Sequence, residues 1–88
     1  MAHWANLKKL IALIPDDVPM PDIATDIDGY DPLIEWYRGK RKVFSISVSD
    51  EGKLSYAGLD GQEKVIGTAK LSDKLPQEIM DWIRRVNG

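Results

Sequence analysis

Between residues 43 and 48 the chain reads Val43-Phe44-Ser45-Ile46-Ser47-Val48, and Ser49 extends the alternation of apolar and hydroxyl side chains. A two-residue period puts successive side chains on opposite faces of an extended strand, one apolar and one hydroxyl-lined. Leu54 and Tyr56 alternate with Ser55 and Ala57 in the same way, and Ile34 and Trp36 flank Glu35. Strands over 32–37, 43–48 and 53–57 follow, joined by short charged turns into an antiparallel meander. Such a meander rests one face on a core and leaves the other in water. Asp50-Glu51-Gly52 and Arg38-Gly39-Lys40-Arg41 supply glycines, which reach the positive φ of tight hairpins at little cost.

The flanks extend this unit. Asp22 to Asp28 reads as a first strand with Ile23, Thr25 and Ile27 on one side, and Asp28-Gly29-Tyr30-Asp31 as its turn. Asp60-Gly61 signals another hairpin. Glu63 to Leu71 follows as a last strand, with Val65, Gly67, Ala69 and Leu71 on one face and Ile66 and Thr68 on the other. The glycines in and beside it imply a bulge or a close approach by another element. His3 to Ile14 carries Trp4, Leu7, Leu10, Ile11 and Ile14 at helical spacing, and Pro15 ends that helix. Residues 16–21 form a proline-punctuated connector in which Val18 and Met20 are expected to pack. Ser72-Asp73-Lys74 is expected to cap a second helix, with Pro76 in its first turn and Asn87-Gly88 at its end. Ile79, Trp82, Ile83 and Val86 form its apolar stripe.

The expected fold is a single α+β domain over residues 1–88. Both terminal helices lie on the face of a four- or five-stranded antiparallel sheet that carries Ile34, Trp36, Phe44, Ile46, Leu54 and Tyr56. Trp36 is expected beneath both helices, its indole N–H bonded to a backbone carbonyl.

Composition narrows the function. With 88 residues, 43% hydrophobic and 30% charged, the chain has room for one core and the make-up of a globular protein. It contains no cysteine, which excludes disulfides and thiolate metal sites and leaves the cytoplasm as the default compartment. No apolar run approaches the roughly 20 residues of a membrane span. A net charge of −2 argues against a strongly electrostatic partner, yet the charge is polarised along the chain. Residues 16–35 carry acids and no base, and residues 36–42 carry Arg38, Lys40, Arg41 and Lys42 and no acid.

The strings Asp28-Gly29, Ile34-Glu35-Trp36, Val43 to Val48 and Leu54-Ser55-Tyr56-Ala57-Gly58-Leu59-Asp60-Gly61 resemble a group of small uncharacterised bacterial proteins. The shared pattern is an Asp-Gly turn, a Glu-Trp pair, a Phe-Ser-x-Ser-Val strand and a Tyr-Ala-Gly-Leu segment, spread over residues 15–85. The resemblance implies a stand-alone bacterial domain carried on mobile elements, and it implies no activity.

Catalysis finds little to work with. His3 is the only histidine, and Ser45, Ser47 and Ser49 read as the wet face of a strand. The chain is therefore expected not to be an enzyme and to use no cofactor; a carboxylate-based enzyme ranks third among the readings. Asp26, Asp28, Gly29 and Glu35 match the third, fifth, sixth and twelfth places of an EF-hand loop, but Ala24 fills the first and cannot ligate. No metal site is expected there. Arg38 to Lys42, preceded by Trp36 and Tyr37, could meet phosphates, so a nucleic-acid-binding module is the second reading. The first reading is a domain that binds another protein, inhibitor-, antitoxin- or adaptor-like, with no membrane role. Its candidate contact residues are Leu33, Glu35 and Tyr37 on the second sheet face, with Arg38, Lys40, Arg41 and Lys42 in the charged turn.

Overall fold

Alternating burial along four of the five strands shows the expected pleat, and the first strand is exposed throughout. In a computed structural model describing residues 2–25 and 31–88, with side chains from residue 5 onward, one antiparallel sheet runs in chain order. Its strands are β1 (Asp22–Thr25), β2 (Pro32–Gly39), β3 (Lys42–Val48), β4 (Lys53–Asp60) and β5 (Glu63–Lys70), flanked by α1 (Ala2–Ala12) and α2 (Gln77–Asn87). The architecture is the α+β meander read from the sequence. The last residues assigned to the first strand, 26–28, and the turn through Tyr30 lie outside the described residues, as do the side chains of His3 and Trp4.

Both helices cover the same sheet face, α2 over β2, β3 and β4 and α1 over β2 and β3. Leu7 and Leu10 of α1 and Ile79, Trp82, Ile83 and Val86 of α2 meet Ile34, Trp36, Phe44, Ile46, Leu54 and Tyr56 in one buried cluster. Phe44 is its centre. Its ring stacks on Trp36 at 6.4 Å and Trp82 at 6.2 Å, and tilts against Tyr56 at 6.1 Å. Trp36 is buried, and its indole N–H donates to the Pro19 carbonyl at 2.8 Å, which satisfies the one polar atom that burial would otherwise strand. The connector is thereby fastened to β2. Val18 packs against the core, but Met20 is 70% exposed, and the neighbouring Pro21 is buried in its place.

Two glycines on the helix-covered face make close packing possible. A Cβ at Gly58 would stand 2.7 Å from the Phe44 ring and 2.8 Å from the Trp82 ring, and one at Gly67 would stand 2.5 Å from the Tyr56 ring. The close approach expected around the last hairpin is therefore that of aromatic rings. The turns differ in part from expectation. Gly52 and Gly61 have positive φ, 81° and 67°, whereas Gly39 does not. The β2–β3 connection instead shifts register between Tyr37 and Gly39, inserting Arg38 as a bulge.

The start of α2 departs from the expected capping, and its end does not. Pro76 occupies the N-cap, one place before the helix, and no side chain caps it. The Pro76 carbonyl accepts the Met80 N–H at 3.1 Å, while the Ser72 hydroxyl is turned to the Lys74 carbonyl. At the other end Gly88 is the C-cap, and the Asn87 amide donates to the Ile83 carbonyl.

Candidate interaction surface

The second sheet face is open among the described residues. Leu33, Glu35 and Tyr37 of β2 alternate onto it, and the register aligns Leu33 with Ser47, Glu35 with Ser45 and Tyr37 with Val43. Two adjoining depressions form one open trough across it. Val43, Leu59 and Ile66 supply apolar lining, Ser45, Ser47, Ser55 and Thr68 supply hydroxyls, and Glu35 and Lys64 supply charge. Tyr37, on β2, is 54% exposed and Ile66, on β5, is 85% exposed, so large apolar groups stand open on this face at two separate places. The Ser47 hydroxyl faces the Ser55 carbonyl at 3.5 Å, and the Ser49 hydroxyl accepts the Lys53 N–H at 3.1 Å in the β3–β4 turn. These hydroxyls serve backbone groups.

The candidate contact residues fall into two sets. Leu33, Glu35 and Tyr37 come together on the open face. The basic residues lie at one end of the sheet: Lys40 and Arg41 at the exposed turn, and Lys42 on the helix side opposite Asp60. Arg38 turns toward the helix side as well, where its Nε donates to Asn87 Oδ1 at 2.9 Å. The turn is held to its neighbour hairpin by the Gly61 N–H, which donates to the Arg41 carbonyl at 2.8 Å.

That end gains cations the sequence reading did not assign to it. Arg84 and Arg85, in the last turn of α2, stand beside the basic turn because α2 runs back across the sheet to meet it. Both are engaged. Arg84 pairs with Asp17 and Arg85 with Asp60, each at 2.6 Å, and the Arg85 guanidinium lies 4.8 Å from the Trp82 ring centroid. The hydrogen bond from Arg84 holds the Asp17 carboxyl below the usual range. The Tyr56 hydroxyl donates to Glu78 Oε1, and that bond, with burial, raises the Tyr56 pKa. Both shifted groups belong to the helix-covered side and not to the trough.

Residues missed from the candidate face were Val43, Leu59, Lys64 and Ile66. The parity of alternation in β3, β4 and β5 signals their face, but only strand register brings them beside Glu35 and Tyr37. Register also sets Asp22 opposite Glu35. Two carboxylates facing across strands repel. In the calcium-loop comparison, Ala24 and Glu35, the first and twelfth places, stand in the paired strands β1 and β2, while Asp26, Asp28 and Gly29 lie outside the described residues. Among the described residues no group of three or more His, Asp or Glu side chains is placed to hold a metal ion, and no helix is long and apolar enough to cross a membrane.

No protein-family model matches the chain, and no curated protein and no solved structure matches it.

Proposed function

We propose that the chain is a small protein-binding domain without enzymatic activity, inhibitor-, antitoxin- or adaptor-like, acting in the cytoplasm of a bacterial or phage-borne system. The observation that carries this reading is the uncovered sheet face, on which Tyr37 and Ile66 are exposed beside the half-buried Leu33, Val43 and Leu59. Aromatic and aliphatic groups ringed by hydroxyls and a few charges are the make-up of a contact surface with a desolvated centre and a polar rim. The bacterial setting rests on the resemblance of the strand sequences described above.

The test is recovery of a tagged copy from its native host, alongside Tyr37→Glu and a Lys40→Glu/Arg41→Glu double variant. A discrete protein partner that is kept by the turn variant and lost by Tyr37→Glu is the expected result. Recovery of nucleic acid in its place, dependent on the turn, would overturn the reading.

Nucleic-acid binding is the second reading, and one observation favours it: Arg84 and Arg85 stand near Arg38, Lys40, Arg41 and Lys42. Against it, Asp17 and Asp60 already pair with the two helix arginines. Four turn contacts on duplex would give a salt slope near −3.6, at about −0.9 per phosphate. Our expectation is binding no tighter than about 10 μM at physiological salt, because few free exposed charges give only weak non-specific association. An anisotropy titration with single- and double-stranded oligonucleotides checks it; submicromolar binding that depends on the turn would put this reading first.

A further inference from the structure

The two edges of the sheet are built differently. β1 has four residues, begins with Asp22 and follows Pro21, features that blunt an edge against unwanted pairing. β5 has eight residues, pairs with β4 throughout without a bulge, and carries Val65-Ile66-Gly67-Thr68-Ala69, uncharged and free of proline, along its middle. A long, regular, apolar edge invites another strand.

The hydrogen-bond phase shows which groups are on offer. The Leu71 N–H donates to the Gly52 carbonyl, while the Gly52 N–H closes the turn on the Ser49 carbonyl, so positions 52 and 71 fall in the hydrogen-bonding phase of the ladder. Counting along the β4–β5 register from that pair, the odd-numbered residues of β5 turn their backbone groups to β4. Lys64, Ile66, Thr68 and Lys70 therefore aim their N–H and C=O groups outward, and no backbone partner for them exists among the described residues.

We propose that a second copy of this chain occupies the edge, β5 pairing antiparallel with β5 across a two-fold axis at Ile66 and joining the two sheets into one. An axis normal to the sheet keeps the two open faces on one side and restricts opposing residues to matched parity. Of the two such registers that overlap nearly all of β5, the one centred on Gly67 sets Lys64 opposite Lys70 twice, and like charges directly opposed are destabilising. The register centred on Ile66 sets Lys64 opposite Thr68 and the outward groups of both in bonding position. It also closes Ile66 on its own copy, covering the most exposed large apolar side chain among the described residues. On the helix side it sets Val65 opposite Gly67, a side chain against none. About six inter-strand hydrogen bonds result, in the paired pattern of an antiparallel ladder. Strand addition alone buries less than a standard interface, so a weak, concentration-dependent dimer is expected.

The test uses the purified full chain alone, so its result is separate from whether the open face binds another protein. Sedimentation equilibrium from micromolar to millimolar concentration should show a monomer–dimer equilibrium. Ile66→Lys places two ammonium groups opposite one another, and Thr68→Pro removes an outward donor while leaving the β4 ladder intact. Each should raise the dissociation constant at least about tenfold with the monomer fold kept, as circular dichroism would show. Register is read by single cysteines in the cysteine-free chain. Opposed residues of a hydrogen-bonded pair are about 5.5 Å apart at Cα, within disulfide reach, so Ile66→Cys should cross-link on oxidation. Thr68→Cys should not, since its copy lies four residues away along the strand, about 13 Å. A monomer throughout, a dimer indifferent to both edge variants, or preferential cross-linking through position 68 would each overturn the proposal.

Discussion

Trp36 and Tyr37 are consecutive aromatic residues on β2, yet one is 1% exposed and the other 54%. The pleat sends them to opposite faces, one covered by the helices and the other open. The covered face is apolar at its centre, with Phe44 held between Trp36 and Trp82 and glycines where a Cβ would collide with a ring. The open face mixes Leu33, Val43, Leu59 and Ile66 with hydroxyls and charge. Packing selects the first set of residues almost completely. The second set is free of that constraint, so its apolar members call for another explanation, and contact with a partner supplies one.

The comparison is strained hardest by Trp36→Ala. It removes the largest fully buried side chain, leaves a cavity under both helices and releases the Pro19 carbonyl. A loss of about 3–5 kcal/mol is expected in urea denaturation. A loss below about 1 kcal/mol, the scale of an ordinary surface change, would mean that this face is not the core.

Gly58→Ala probes the same face from the opposite direction, by adding volume. The new methyl would lie 2.7 Å from Phe44 and 2.8 Å from Trp82, and ring atoms in a packed stack have little room to retreat. Overpacking of this kind costs about 1–3 kcal/mol. Ala57→Ser, one residue away on the open face, should change stability by less than about 0.5 kcal/mol. Equal effects at the two positions would erase the distinction between the faces.

Much of this was legible from periodicity. The alternation around Phe44 and Tyr56 marked the strands and the buried face, and the stripe from Ile79 to Val86 marked α2. The site was legible in part. Alternation alone put Leu33, Glu35 and Tyr37 together, but Val43, Leu59 and Ile66 join them through cross-strand register, which a single strand does not encode. Arg84 and Arg85 meet the basic turn because of the direction in which α2 crosses the sheet, and an apolar stripe gives a helix's face without its direction. Gly39 stood in the β2–β3 turn as Gly52 did in the next one, yet the Arg38 bulge removed the need for a positive φ there.

A smaller effect is expected from pH, again on the covered side. The Tyr56 pKa is raised by its bond to Glu78 and by burial, so the folded state holds the phenol proton more tightly than the unfolded state. That contribution is fully present below the unfolded value of 10.0 and is lost as pH rises through the folded value. Glu78→Gln should flatten this alkaline decline and cost about 0.5–1.5 kcal/mol at neutral pH. Asp17 has the opposite sign. Its lowered pKa contributes stability above 3.8 that is lost as pH falls through the folded value, and Asp17→Asn should remove that acid-side dependence. Thermal melts across pH separate the two.

The smallest effect on stability, and the sharpest on function, should come from Tyr37→Ser. The Tyr37 ring is more than half exposed and has no packed neighbour among the helices, so its removal should change the urea midpoint by no more than about 0.5 kcal/mol. The same ring is the largest apolar group on the open face, and tyrosines at the centre of an interface often cost more than about 1 kcal/mol when truncated. Recovery of a partner from the host should therefore fall several-fold while the melting curve stays in place. A variant that destabilises the fold as Trp36→Ala does would make Tyr37 part of the core. One that leaves both stability and partner recovery unchanged would leave the open face without the contact role proposed for it.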